Sequence, residues 1–404
     1  MTRDNAGHPR DISLVSAAER ERHVDTITTI RDLLSSTPYE CSKIQQLSGG
    51  HLNLTYRGFL ARPLSDESKS VIIKWSKDFE TRIPGVKCLA IRGWHEHQTL
   101  EALSKDIVAT TYHDGFTIRT PRPYIFFHQN VQVMEDLQGT SQLWEILSSA
   151  ADDMSPAFAA SLGYSIGSWL GSFHSPASKR GGDDYGLGEN PTGRDVMCSF
   201  YLGMLEKKIE TAPHIFGDMA DQVRQIAADE IARRYEDCGM SLVHGDFSIR
   251  NLMISDIRQD NKHVTVGPID WESSHYGRSD QDLGQVLGEL YTMATVKGVK
   301  IANTILQHII LGYPALKEEA IFHTASYMGL MIITWSFLLI EGIKSEQEDA
   351  LIGFARDLIV KGSQRDRAWL ETTIVGHLFK KAQCAEKRDG LPGPRVAPDL
   401  PKVD

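Results

Sequence analysis

Three oxygen-bearing side chains sit at short spacings between strand-like runs in this chain. Asp246 and Asn251 lie within "LVHGDFSIRNLMI", and Asp270 follows in "HVTVGPIDWE". Apolar "SLV" and "LMI" bracket the first pair, and the alternation through Val264 and Val266 reads as a strand ending near Asp270. Two strands of one hairpin would deliver all three side chains to the same end. An oxygen cluster of this kind suits Mg²⁺, a hard cation that takes one or two carboxylates together with substrate phosphates. "HGD" alone is also an ordinary turn. The weight therefore rests on Asn251 and "IDWE" downstream of it.

Phosphoryl transfer needs a metal between phosphates, a base for the attacking hydroxyl and a cation on the remaining phosphates. Lys74 in "VIIKW" is the cation candidate. A lone strand lysine is commonly a snorkelling surface residue, and burying one is costly unless it is paired. Glu96 is the partner expected, because Glu96, Leu100 and Leu103 share one face of the helix predicted over "RGWHEHQTLEALSK". His95 and His97 point to nearly opposite sides of that helix and no H-E-x-x-H follows, so no zinc site is expected. The chain has no Walker A G-K-[S/T], which excludes a P-loop NTPase.

The elements that must position these residues fall into two textures. "SKIQQLSGGHLNLTYRGFLARP", "SKSVIIKWS" and "YIFFHQNVQVMED" read as strands joined by turns, with the Glu96 helix among them. From Ser141 onward helical periodicity dominates, in "SPAFAASLGYSIGSWLGSFH", "DQVRQIAADEIARRYEDC" and "ALIGFARDLIVKG". The expected division is a flexible N-terminus over 1–20, a small sheet with one helix over 21–137, a mainly helical part over 138–384, and a disordered, Pro-rich tail over 385–404. The uncharged run Thr324–Ile340 is shorter than the roughly 20 residues of a membrane span and reads as a buried helix.

The 404 residues are 41% hydrophobic and 24% charged, with a net charge of −10. That balance disfavours a nucleic-acid partner held by phosphate contacts and leans towards a neutral or cationic small molecule. Five scattered cysteines without C-x-x-C suit reduced thiols in the cytoplasm. No membrane partner is expected, and a monomer or homodimer is.

The order "LSGGHLNLTYR", "VIIKW", "HEHQTLEAL", "VMEDL", "LVHGDFSIRNLMI", "IDWE" resembles the aminoglycoside phosphotransferase and choline kinase-like family. Among its branches the segments look closest to methylthioribose kinase-like and 4-hydroxytryptamine kinase-like enzymes. The resemblance implies an α+β, bilobal protein-kinase-like fold that uses ATP and Mg²⁺. It implies Asp246 as the catalytic-loop aspartate, Asn251 and Asp270 as metal-binding residues, Lys74 on the α/β-phosphates and Glu96 as its partner. Asp282 would brace the catalytic loop, and the backbone of Met134, Glu135 and Leu137 would meet adenine. "SGGHLNLT" departs from G-x-G-x-x-G, so phosphate cradling would fall to Ser48, Gly49 and Gly50. Ser248 stands where protein serine/threonine kinases carry lysine, which argues for a small acceptor: an amino alcohol, thiosugar, aminoglycoside or hydroxyindole. A catalytically dead binding scaffold is the competing class, as is another nucleotide-dependent reaction on the same fold. The intact set Lys74, Glu96, Asp246, Asn251 and Asp270 speaks against the scaffold.

Overall fold

The computed structural model describes residues 23–47, 54–80, 87–105, 111–113, 115–175, 190–233, 240–255, 263–339 and 345–389. Its first part holds strands β1 (Cys41–Gln46), β2 (Leu54–Leu60) and β3 (Ser70–Trp75), and the short pair β4 (Phe79–Glu80) and β5 (Lys87–Cys88). Strands β6 (Thr111–His113), β7 (Phe116–Ile118), β8 (Pro123–Phe127) and β9 (Val131–Glu135) follow. Helices α1 (His23–Leu34) and α2 (Ile91–Lys105) belong to the same stretch. An antiparallel sheet forms in the order β1-β2-β3-β9-β8.

Period-two alternation in β3 decides what each face of that sheet does. Val71 and Ile73 point into a small core with Ile30 and Leu34 of α1. Ile72 and Lys74 point the other way, where Ile72 packs against the large core and Lys74 meets α2. On α2 the expected stripe holds, for Glu96, Leu100 and Leu103 are all buried. Arg92, one turn earlier, is buried with them.

The second sheet adds β10 (Thr140–Gln142), β12 (Leu252–Ser255) and β13 (Val264–Pro268), in the order β10-β12-β13-β7-β6. The expected hairpin is β12–β13, with Leu252 opposite Pro268. Its other neighbour was not foreseen: β7 pairs parallel with β13, Phe116 opposite Val264. The stretch before Leu137 thus supplies strands to both sheets rather than to one. A separate pair joins β11 (Met240–Val243) to β14 (His275–Arg278).

The helical part comprises α3 (Leu143–Ser149), α4 (Pro156–Phe173), α5 (Pro191–Thr211), α6 (Ala220–Ala232), α7 (Asp280–Thr295), α8 (Lys300–Gly312), α9 (Glu318–Leu339), α10 (Ser345–Ser363) and α11 (Gly376–Asp389). Ser155 caps α4 by accepting from the Phe158 N–H, and Pro156 opens the helix. The apolar run after Thr324 is the buried helix expected, with Ile332 and Ile333 wholly enclosed as α9 packs against both α7 and α10. Among the described residues no helix is long and apolar enough to cross a membrane. The last helix continues to Asp389, past the residue 385 at which the tail was expected to begin. The rest of that tail, the N-terminus over 1–20 and Ser48, Gly49 and Gly50 lie outside the described residues.

Candidate active site

The two periodicities meet at one ammonium group. Lys74 Nζ lies 2.6 Å from Glu96 Oε1 and 2.6 Å from Asp270 Oδ1. The Glu96 oxygen also accepts the Trp271 N–H at 3.2 Å, which ties α2 to the segment after β13. Burial alone would pull the Lys74 pKa down. Asp270, Glu96 and Glu272 outweigh it, so the pKa is raised and the ammonium stays charged. Asp270 itself adopts φ +70°, a left-handed conformation that non-glycine residues rarely take. Such backbone outliers cluster at functional sites.

The loop from His244 to Asn251 hangs on one helix. Asp282 of α7 accepts the His244 N–H at 2.7 Å and the Gly245 N–H at 3.0 Å, and His174 Nε2 donates to it at 3.0 Å. Burial would raise the Asp282 pKa, yet these bonds and the neighbouring histidines hold it below the ordinary carboxyl value. Gly245 has φ +80°, and a Cβ there would sit 2.3 Å from the Ser273 carbonyl oxygen, so only glycine fits the turn. One turn further along α7, Gln285 Nε2 donates to Asp246 Oδ1 at 2.6 Å. A turn beyond that, Glu289 accepts from the Ser248 hydroxyl, the Ile249 N–H and the Arg250 guanidinium at 3.1, 3.0 and 3.3 Å.

Asn251 Nδ2 donates to both the carbonyl and the Oδ2 of Asp246, each at 3.0 Å. Its amide proton donors are therefore turned to Asp246, which leaves Oδ1 for another partner. Burial pushes the Asp246 carboxyl up to about 7, against the opposing pull of Gln285 and Arg250. Burial and Asp270 likewise bring Glu272 to about 7, although Arg92 lies 3.1 Å away. Among the described residues, Glu96, Asp270 and Glu272 thus crowd around the ammonium of Lys74, with Asp246 beside Asp270 and the Arg92 and Arg250 guanidinium groups nearby. That donor set fits a divalent cation. Among the described residues no three His, Cys, Asp or Glu side chains form a ready cage, so Mg²⁺ would rely on Asn251, Asp270 and substrate phosphates.

Residues 96–318 match the model of the phosphotransferase enzyme family. The chain belongs to this family. Phosphotransferase FrzJ of Cladobotryum sp. is 34% identical over 385 residues, which cover 90% of this chain and 98% of that protein. The 4-hydroxytryptamine kinase of Psilocybe cyanescens is 21% identical, over 76% of this chain and 84% of that one. Aminoglycoside 2'-phosphotransferase-IIIa, solved as a GDP complex, gives a TM-score of 0.49 at 12% identity, covering 85% of this chain and 99% of that one. The family resemblance carried by the motifs is borne out. The protein is a small-molecule kinase with an α+β fold, and Glu96, Asp246, Asn251, Asp270 and Asp282 all fall inside the matched region.

In this phosphotransferase Met134, Glu135 and Leu137 lie where the chain leaves the first sheet. The Glu135 N–H donates to the Arg122 carbonyl at 2.9 Å, and its carboxylate holds Arg119 at 2.6 Å. Asp136 is bonded to Arg57 at 2.7 Å and accepts the Ser70 hydroxyl at 2.5 Å, so this connection is anchored on both sides. Ser248 is fully buried and its hydroxyl donates to Glu289.

Gln285, Glu289 and the Arg92–Glu272 pair were not anticipated. A signal for the first two exists in "DQDLGQVLGELY", where Asp282, Gln285 and Glu289 recur at i, i+3 and i+7 among apolar neighbours. Arg92 lies four residues before Glu96, on the same helix face.

Proposed function

We propose that this phosphotransferase moves the γ-phosphate of ATP to a hydroxyl of a small metabolite. Asp246 takes the acceptor proton as the oxygen–phosphorus bond forms and the bond to the β-phosphate bridging oxygen breaks, releasing ADP. Lys74 holds the α/β-phosphates, and Glu96 holds Lys74. Mg²⁺, when bound by Asn251 and Asp270, neutralises charge on the phosphates. The Glu135 N–H is already used within the protein, so the Leu137 N–H is the donor assigned to the base of the nucleotide. A nucleotide lobe up to residue 137 and an acceptor lobe after it are part of this reading. The single observation that carries it is Lys74, its side chain 9% exposed, shared between Glu96 and Asp270 at 2.6 Å each.

The acceptor side is framed by α5, α7 and α9. Trp335 packs on Phe200 with ring centroids 5.3 Å apart, and the Arg250 guanidinium lies 4.3 Å from the Trp335 ring centre. On α10, Glu348 is paired with Lys208 and Asp349 with His214, so these two support no separate amine site. Amino alcohols, thiosugars, aminoglycosides and hydroxyindoles form the panel to screen for ADP release. Calorimetric ATP titration with and without Mg²⁺ then tests the assignment of roles. Asp270→Asn should lose both turnover and the magnesium dependence of ATP binding. Wild-type Mg·ATP affinity and turnover in that variant would overturn it.

A further inference from the structure

The loop that carries the base also carries a cation with spare donors. Arg250 stands four residues after Asp246 and one before Asn251. Its carboxylate partner, Glu289, is wholly enclosed and already accepts the Ser248 hydroxyl and the Ile249 N–H on Oε2. Glu289 Oε1 receives Arg250 Nη2 at 3.3 Å, the longest of the three bonds. Nη1 is enclosed and meets no hydrogen-bond acceptor among the described residues. A guanidinium carries its N–H donors in one planar fork, and a charged donor withdrawn from water without a partner is destabilising.

We propose, resting on the phosphotransfer reading above, that Arg250 is a specificity-determining residue and that the acceptor it selects is a hydroxy acid, a small alcohol bearing a carboxylate. The arginine is presented rather than sealed in: its side chain is 17% exposed, against 0% for Glu289. Trp335 supports one face of the guanidinium, 4.3 Å from the ring centre, and is itself held against Phe200. Stacking occupies a face and leaves the in-plane N–H groups for an oxygen ligand. A carboxylate arriving at that edge would bring the oxygen that Nη1 lacks. Both partners are ionised, so the bond is shorter and stronger than a neutral one.

Charge decides between acceptor classes. An ammonium substituent would meet the like charge of Arg250. Glu289 lies beneath the arginine with both oxygens engaged by the loop, so it is not offered to an amine. A phosphate dianion would bring a second negative charge towards Asp246 and Glu289, which makes the singly charged carboxylate the better match. A net charge of −10 describes the whole surface, and the donors left on Arg250 set the opposite sign on this side of the base.

The test uses matched trios of acceptors that share a skeleton and a hydroxyl and differ in one substituent: carboxylate, carboxamide or amine. Trios built on a hydroxyindole, a sugar and a short aliphatic alcohol are assayed for ADP release at neutral pH with wild type, Arg250→Met and Arg250→Lys. In wild type the carboxylate should exceed its carboxamide and amine by about 10–100-fold in kcat/KM in at least one trio. Arg250→Met should erase that preference by raising KM for the carboxylate, with a smaller change in kcat. Arg250→Lys keeps a cation for Glu289 but not the planar fork, and should recover part of the preference. A uniform fall in kcat for all three members marks a merely structural role and overturns the inference. So does a preference that survives in Arg250→Met. Wild type that uses carboxamides or amines as well as carboxylates overturns it too, whether or not the variants fold. Wild type that binds Mg·ATP in calorimetry and phosphorylates none of the carboxylates overturns the inference and leaves the phosphotransfer reading in place. Wild type that neither binds Mg·ATP nor releases ADP brings down both.

Discussion

Replacing Asp246 by asparagine should remove a pH-dependent loss of stability and most of the activity, and the pH dependence identifies why. Burial lifts the folded-state carboxyl from an ordinary 3.8 to about 7. The folded protein therefore keeps the proton up to about pH 7, whereas the unfolded chain releases it near pH 4. The sign follows: protonation contributes stability that is fully present below pH 4 and is lost as pH rises through 7. A separation of about 3 units at ~1.4 kcal/mol each gives an upper figure of about 4 kcal/mol. At pH 5 the unfolded chain has already released its proton, so the part lost between pH 5 and 8 is about 2–3 kcal/mol, less whatever solvent access to the half-buried side chain removes. Asparagine carries no such charge. Urea unfolding of wild type and Asp246→Asn at pH 5 and pH 8 should show the variant gaining about that much relative to wild type, while turnover falls by about 10²–10⁴. A stability difference that stays constant across this range would refute the claim that an ionised Asp246 destabilises the fold. Full turnover in the variant would remove Asp246 as the base.

Lys74→Met would leave Glu96, wholly enclosed, without its cation; destabilisation by about 3–5 kcal/mol is expected at pH 8 and less at pH 5, where the carboxyl can take up a proton. Denaturant midpoints at the two pH values check it, and equal losses at both would sink the explanation. Gly167→Ala should destabilise by at least about 1–3 kcal/mol, because a Cβ there meets the Ile309 carbonyl oxygen at 2.1 Å. Gly353→Ala, also mid-helix but with open space around it, should stabilise by roughly 0.5–1 kcal/mol. Thermal unfolding of the pair decides whether the tight approach of α4 to α8 is real.

What the sequence disclosed was whatever local spacing could carry. Asp246 and Asn251 are five residues apart on one loop, and Asp270 ends a strand adjacent in the hairpin, so simple alternation was enough to gather them. Lys74 and Glu96 came from superposing two periods, 2 for the strand and 3.6 for the helix, each with an inward polar residue. The parallel pairing of β7 with β13 left no comparable trace. Three residues are too few to show a period, and the partner lies almost 150 residues away, Phe116 against Val264. Gln285 and Glu289 escaped for another reason. Polar residues on a helix ordinarily mean its solvent face, and only the burial of α7 from every side turns that stripe into a support for the loop. Ser248 shows the converse, since its place in the motif was legible and its inward direction was not.

The parallel pairing also constrains how the molecule can move. α2 ends at Lys105 and β6 begins at Thr111, so the C-terminal end of the helix is moored to the second sheet through β7 and β13. Its N-terminal half carries Arg92 and Glu96, which grip Glu272 and Lys74. The helix is therefore held at both ends, near Lys105 by the second sheet and at Arg92 and Glu96 by Glu272 and the Trp271 N–H. The first sheet is joined to the second through the chain at Glu135–Gln138, through α2 and through the Lys74–Asp270 ion pair. Lys74 thus stands where all three ties converge, and parting it from Glu96 would loosen the helix and the first sheet together.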